Sequence, residues 1–123
     1  MSHPQENVTL PDPAPDQAFI HVSALEAGMI RLPLQIFVKG ATPEEISDCP
    51  SLAFLLRHSK TGTELVFDLG LRRDSDSYPP AAQALLKRMP IEVPQSVDES
   101  LVKGGKDPKE VQTVVLSHLH FDQ

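Results

Sequence analysis

Cysteine is nearly absent from this chain: Cys49 is the only one among 123 residues. No internal disulfide can form, so a disulfide-stapled scaffold is excluded and no oxidising compartment is required. Long apolar runs are missing too, and none approaches the ~20 residues of a membrane-spanning helix. The opening Met1-Ser2-His3-Pro4-Gln5-Glu6 carries neither the basic nor the apolar block of a secretory signal. The expectation is a soluble, cytoplasmic protein, in which Asn7-Val8-Thr9 matches a glycosylation acceptor by chance. Basic residues are outnumbered, 11 Lys and Arg against 17 Asp and Glu, for a net charge of -6. With the acids scattered, neither a nucleic-acid footprint nor an anionic membrane surface is an expected partner. There is no internal repeat.

What the chain does contain is enough for one small domain with its own core. Residues 1–17 hold Pro4, Pro11, Pro13 and Pro15 among polar groups and read as a disordered tail. Residues 18–25 form a strand candidate with Ile20, Val22 and Ala24 on one face, and Gly28 marks a turn. Residues 31–38 alternate, placing Leu32, Leu34, Ile36 and Val38 together as a second strand. Residues 39–50, with Gly40, Pro43 and Pro50, read as a loop with one helical turn. A hairpin follows: residues 52–56 and 64–67 flank the polar turn Ser59-Lys60-Thr61-Gly62 and finish at Asp68-Leu69-Gly70. Residues 72–78, with Arg72, Arg73, Asp74 and Asp76, read as a solvated loop, or as the border of a substrate cleft.

Two helices come next. One spans residues 79–89, where prolines suit a first turn and Ala82, Leu85, Leu86 and Met89 make an apolar stripe. The other starts at Ser96, forms a capping box with Glu99 and stops at Gly104-Gly105. Asp107-Pro108-Lys109-Glu110 begins a further short turn that feeds a last strand, residues 113–117. Strands, helices, then a strand predict a mixed α/β layer. Val114-Val115-Leu116 is apolar at consecutive positions, so both faces of that strand call for cover. Two helices cover one face. The other waits for more chain, a partner, or self-association through the open sheet.

His118, His120 and Asp122 follow that strand at strict alternation, so on extended backbone they converge while Leu119 and Phe121 turn away. Imidazole and carboxylate suit a borderline divalent ion such as zinc. Single histidines such as His3, His21 and His58 read as ordinary hydrogen-bonded residues. Three ligand types in register after a strand point to metal. The alternative is a strand end in an unrelated α/β domain.

The segment Val115-Leu116-Ser117-His118-Leu119-His120-Phe121-Asp122 resembles the signature of the metallo-β-lactamase superfamily, and its wording is most similar to the branch holding N-acyl homoserine lactonases. Asp68-Leu69-Gly70 resembles the family's Asp-x-Gly element, and the capped helix, glycine pair and Asp-Pro turn resemble its approach to the motif. The resemblance runs over residues 18–123 and implies the N-terminal half of a four-layer αββα sandwich, a mixed β-sheet with helices on one face, truncated at the metal motif. It implies that His118 and His120 help hold a first zinc ion, that Asp122 binds a second and acts in catalysis, and that Asp68 supports the metal loop, where its other reading is a turn residue. Gln123 stands where the family has a histidine, and an amide oxygen is a poor substitute for imidazole on zinc, which puts a second ion in doubt.

The implied activity is hydrolysis of a small lactone, ester, thioester or amide. The ligands lie within six residues of the last one, where backbone frays unless tied down, and no partner for either imidazole is legible. The 123-residue chain is therefore expected to bind metal weakly and to be inactive alone. The alternative function is a shortened, non-catalytic relative that binds a partner through its open sheet face.

Overall fold

The computed structural model describes residues 9–123. The first eight residues of the expected tail, with His3, Asn7 and Val8, lie outside the described residues. Residues 9–19 hold no strand or helix, only a turn at 15–16, and are exposed.

The first expected strand, the turn at Gly28 and the first three residues of the second strand form one element. Strand β1, Ile20–Pro33, is 14 residues long. It runs antiparallel to β2, Ile46–His58, with a register shift between Glu26 and Met29. Gly28 sits in that shift with φ of 98°, a left-handed conformation open to glycine, so it makes a bulge rather than a turn. Residues 34–36 leave the strand as a 3-10 turn. The expected loop at 39–50 is shorter than its prolines suggest, because β2 has already begun at Ile46. Pro50 is tolerated inside β2 because β3, Glu64–Phe67, pairs only with residues 54–57, leaving that stretch of β2 with one free edge. The β2–β3 hairpin closes around the predicted turn, where His58 Nδ1 accepts from the N–H groups of Lys60 (3.3 Å) and Thr61 (3.1 Å).

The five-stranded sheet has the order β4-β1-β2-β3-β5, where β4 is Ile91–Glu92 and β5 is Val114–Val115. All pairings are antiparallel except β3 with β5. Helix α1, Pro80–Leu86, ends three residues before the apolar stripe does, yet the Met89 N–H still reaches the Leu85 carbonyl at 3.1 Å and the Met89 side chain is buried. Helix α2, Val97–Lys103, starts at Ser96, whose N–H donates to Glu99 Oε2 at 3.0 Å. Gly105, at φ of 80°, follows its end.

Val97 and Leu101 of α2 pack on Ala27, Ala53 and Val66. Each large apolar side chain buried in this way contributes roughly 1.5–3 kcal/mol. A second cluster joins Ile30, Leu71 and Met89, with Cys49, Leu85 and Phe121 against it. Ala53 and Cys49 are four residues apart on β2, so both clusters lie on one face of the sheet. The opposite face carries the cross-strand rows Val22–Leu56–Leu65 and Ala24–Phe54–Phe67. Val22 is 62% exposed and Leu52 57%, so the helices cover one side only, as the sequence implied.

Arg73 ties α2 to the loop before it. Its guanidinium donates to Glu99 Oε1 at 2.8 Å and to the carbonyls of Val93 (3.1 Å) and Pro94 (3.0 Å). The Arg73 hydrogen bond, followed by the Ser96 N–H, holds the Glu99 carboxyl at about 2, below its ordinary 4.5. A carboxylate depressed on folding stabilises the native state above its unfolded pKa and loses that contribution as pH falls through the folded value. The melting temperature is therefore expected to drop between pH 4.5 and about 2, and more shallowly in Glu99→Gln; parallel acid profiles for the two proteins would remove this contribution.

Candidate metal centre

The proposed ligands sit where β5 ends at the sheet edge. The expected strand at residues 113–117 is reduced to Val114–Val115, and it is not buried: Val114 is 44% exposed and Val115 41%. The reason is position, because β5 pairs with β3 alone and no described element lies beyond it. Beyond Leu116 the backbone bends instead of continuing as a strand. His118, His120 and Asp122 nevertheless converge, with one ligand atom from each lying within 4.8 Å of the others. The bend brings them together, not strand alternation. His118 Nε2 and His120 Nδ1 are 3.0 Å apart, and the rings meet edge to face. Both imidazoles are exposed and Asp122 is half-buried.

Asp68 explains how the bend is held. It is 6% exposed and has a φ of 60°, the left-handed conformation that aspartate tolerates better than most residues. The parallel ladder runs from Val66 N–H to the Thr113 carbonyl (3.0 Å) and from Asp68 N–H to the Val115 carbonyl (2.9 Å). The next rung would take the Ser117 N–H to the Asp68 backbone carbonyl. Here the Ser117 N–H donates to the Asp68 carboxylate at 2.7 Å. A side chain therefore supplies the acceptor at the point where the backbone turns away. Asp68 thus stands at the turn after β3 and holds the backbone of Ser117.

Two further tethers were not legible in the sequence. Tyr78, 6% exposed, accepts the Arg72 N–H at 2.7 Å and donates its hydroxyl to the Phe121 carbonyl at 3.1 Å. Ser51, buried on the helix-covered face of β2, donates its hydroxyl to the Asp122 carbonyl at 2.7 Å. Residues 117–122 are thus tied to β2, to Asp68 just after β3 and to the 72–78 loop. The only sequence signal for Ser51 is a small hydroxyl at an inward position of an apolar strand, and that is unreadable without the register. The 72–78 region is not simply solvated either. Asp74 caps a 3-10 turn, Arg73 is bonded to Glu99, and Arg72 and Tyr78 line a cleft.

That cleft, about 590 Å³, opens beside His120 on the helix-covered side. Its walls are mainly apolar, with Val66, Leu101, Val114 and Leu116 among them, and Arg72 supplies a cation. Gln123 also lines it, and its Oε1 is buried without a hydrogen-bond partner among the described residues. His21, by contrast, stacks edge-on against Phe19 far along β1, outside the cluster.

The donor set fits a single divalent ion: two imidazoles and one carboxylate is a common catalytic zinc combination, and it leaves a coordination position open. Among the described residues no other group of three His, Cys, Asp or Glu side chains converges in this way.

No family model matches the chain. It is 34% identical over 84 residues to a gamma-lactamase of Fusarium pseudograminearum, a match covering 63% of this chain and 20% of that protein. It is 30% identical over 78 residues to the cytochrome monooxygenase mpaDE' of Penicillium brevicompactum, covering 59% of this chain and 9% of the other. In structure it is similar to a mutant of AiiA from B. thuringiensis with N-decanoyl-L-homoserine bound at its active site (TM-score 0.63, 16% identity, 83% of this chain and 42% of that one). A structure from work on mutations that indirectly optimise a new enzyme function matches equally well (TM-score 0.64, 18% identity, 83% and 41%). The chain thus spans a fifth or less of these curated relatives and about two fifths of these solved structures.

Proposed function

We propose, for a chain with the fold of the N-terminal part of a metallo-β-lactamase domain, that residues 18–123 are the first half of a metal-dependent hydrolase acting on a small lactone, ester or amide. One observation carries the reading: His118, His120 and Asp122 converge within 4.8 Å on a bend that a buried aspartate holds in place. The gamma-lactamase relative and the homoserine-bound AiiA support a small cyclic or acylated carbonyl substrate.

His118 and His120 would hold a zinc ion, with Asp122 as a third donor. When bound, such an ion lowers the pKa of water from ~15.7 to about 7 and polarises a carbonyl oxygen. The rest falls to the chain. The Asp122 carboxylate orients the attacking water and accepts its proton as the new bond to the carbonyl carbon forms. It returns that proton to the leaving oxygen or nitrogen as the scissile bond breaks. Tyr78 holds the Phe121 carbonyl and Ser51 the Asp122 carbonyl, and together they fix where that carboxylate stands.

The test is zinc affinity by equilibrium dialysis. The unaltered chain is expected to bind zinc weakly, and the His118→Ala/His120→Ala chain at least about tenfold more weakly still. Equal affinity for the two proteins would remove the metal reading. We further propose that the 123 residues alone turn over no lactone usefully. Stoichiometric zinc retained through dialysis together with enzyme-like lactone hydrolysis would overturn that part.

A further inference from the structure

We infer that the Ser117 hydroxyl is a positioning residue for the metal-facing imidazole of His118, an inference that rests on the metal reading above. Ser117 Oγ lies 2.9 Å from His118 Nδ1. The opposite ring nitrogen, Nε2, is the one that faces His120 across 3.0 Å. With its Nδ1–H donating to the Ser117 hydroxyl, the imidazole keeps its lone pair on Nε2 and offers that nitrogen to an ion, and the contact holds the ring in place. Ser117 is itself fixed, because its N–H donates to the Asp68 carboxylate at 2.7 Å. A continuous path therefore runs from a buried aspartate through the Ser117 backbone and hydroxyl to the ring of His118. Among the described residues His120 has no such partner, because its Nδ1 contact is to His118 itself. The two imidazoles are not equivalent: His118 is oriented in advance, whereas His120 depends on His118 and on the ion.

The bland reading is a serine that contacts its sequence neighbour and does nothing for the site. Zinc affinity, thermal stability and histidine nitrogen spectra of the full chain separate the two. In Ser117→Ala the zinc dissociation constant is expected to rise about 10–100-fold with the melting temperature nearly unchanged, and Ser117→Thr is expected to restore it. In the zinc-free chain labelled with nitrogen-15 histidine, the Nδ1 resonance of His118 is expected to shift on Ser117→Ala and to return in Ser117→Thr. Unchanged zinc affinity in Ser117→Ala, alongside weakened binding in the double-alanine chain, overturns this inference and spares the metal reading. An unmoved His118 Nδ1 resonance overturns it whether or not zinc binds. An unaltered chain that takes up no zinc overturns both.

Discussion

Gly70→Ala is expected to destabilise the chain by roughly 2–5 kcal/mol, the sum of left-handed backbone strain and overpacking. Gly70 has a φ of 70°, and a Cβ built there would lie 2.4 Å from Ala27 Cβ and 2.5 Å from the Ala27 carbonyl oxygen. Neither neighbour can yield. Ala27 is 2% exposed, and its carbonyl accepts the Leu71 N–H at 2.8 Å. The added methyl must push the 68–71 segment off β1, and Asp68 moves with it. Gly62→Ala is the matched control, since it shares a φ of 70° but has nothing within 4 Å of its Cβ. It should show the strain alone, about 1–2 kcal/mol. Urea unfolding of both variants provides the check, and equal losses would mean that Gly70 does not pack against Ala27.

Removing the Asp68 carboxylate is expected to have the largest effect on the ligand cluster. Asp68→Ala deletes the acceptor for the Ser117 N–H, a bond to a charged group worth roughly 1.5–3 kcal/mol. It also places alanine at a φ of 60°. Asp68→Gly relieves the backbone strain and still lacks the acceptor, whereas Asp68→Asn keeps an oxygen in place and tolerates the left-handed conformation. Zinc affinity is expected to fall about 10–100-fold in both the alanine and glycine variants and to remain near the original in asparagine. Stability should separate them differently, with glycine less damaged than alanine. Recovery of zinc affinity in Asp68→Gly would show that the carboxylate serves the turn and not the ligands.

These residues also show how far the sequence can be read. The hairpin around Gly62, the capped start of α2 at Ser96 and the Asp107 turn are legible because each depends on contacts within a few residues. Gly28 reads as a turn and proves to be a bulge. Both need a left-handed residue, and only the partner strand tells them apart. The prolines of residues 39–50 suggest a longer loop, since whether Pro50 interrupts a strand depends on which edge lacks a neighbour.

By itself the sequence determined the types and spacing of the side chains at His118, His120 and Asp122, the place of Asp68 at the end of a hairpin, and a sheet that its two helices can cover on one side only. Composition and local patterning carry that much, because side-chain chemistry and periodicity are properties of the chain. The tertiary structure alone decided that a bend, not a strand, gathers His118, His120 and Asp122. It alone decided that Ser51 and Tyr78, 71 and 43 residues away from the carbonyls they bind, hold that bend. Such contacts depend on strand register and on which backbone groups remain unpaired at a sheet edge, and both are settled only when distant segments meet.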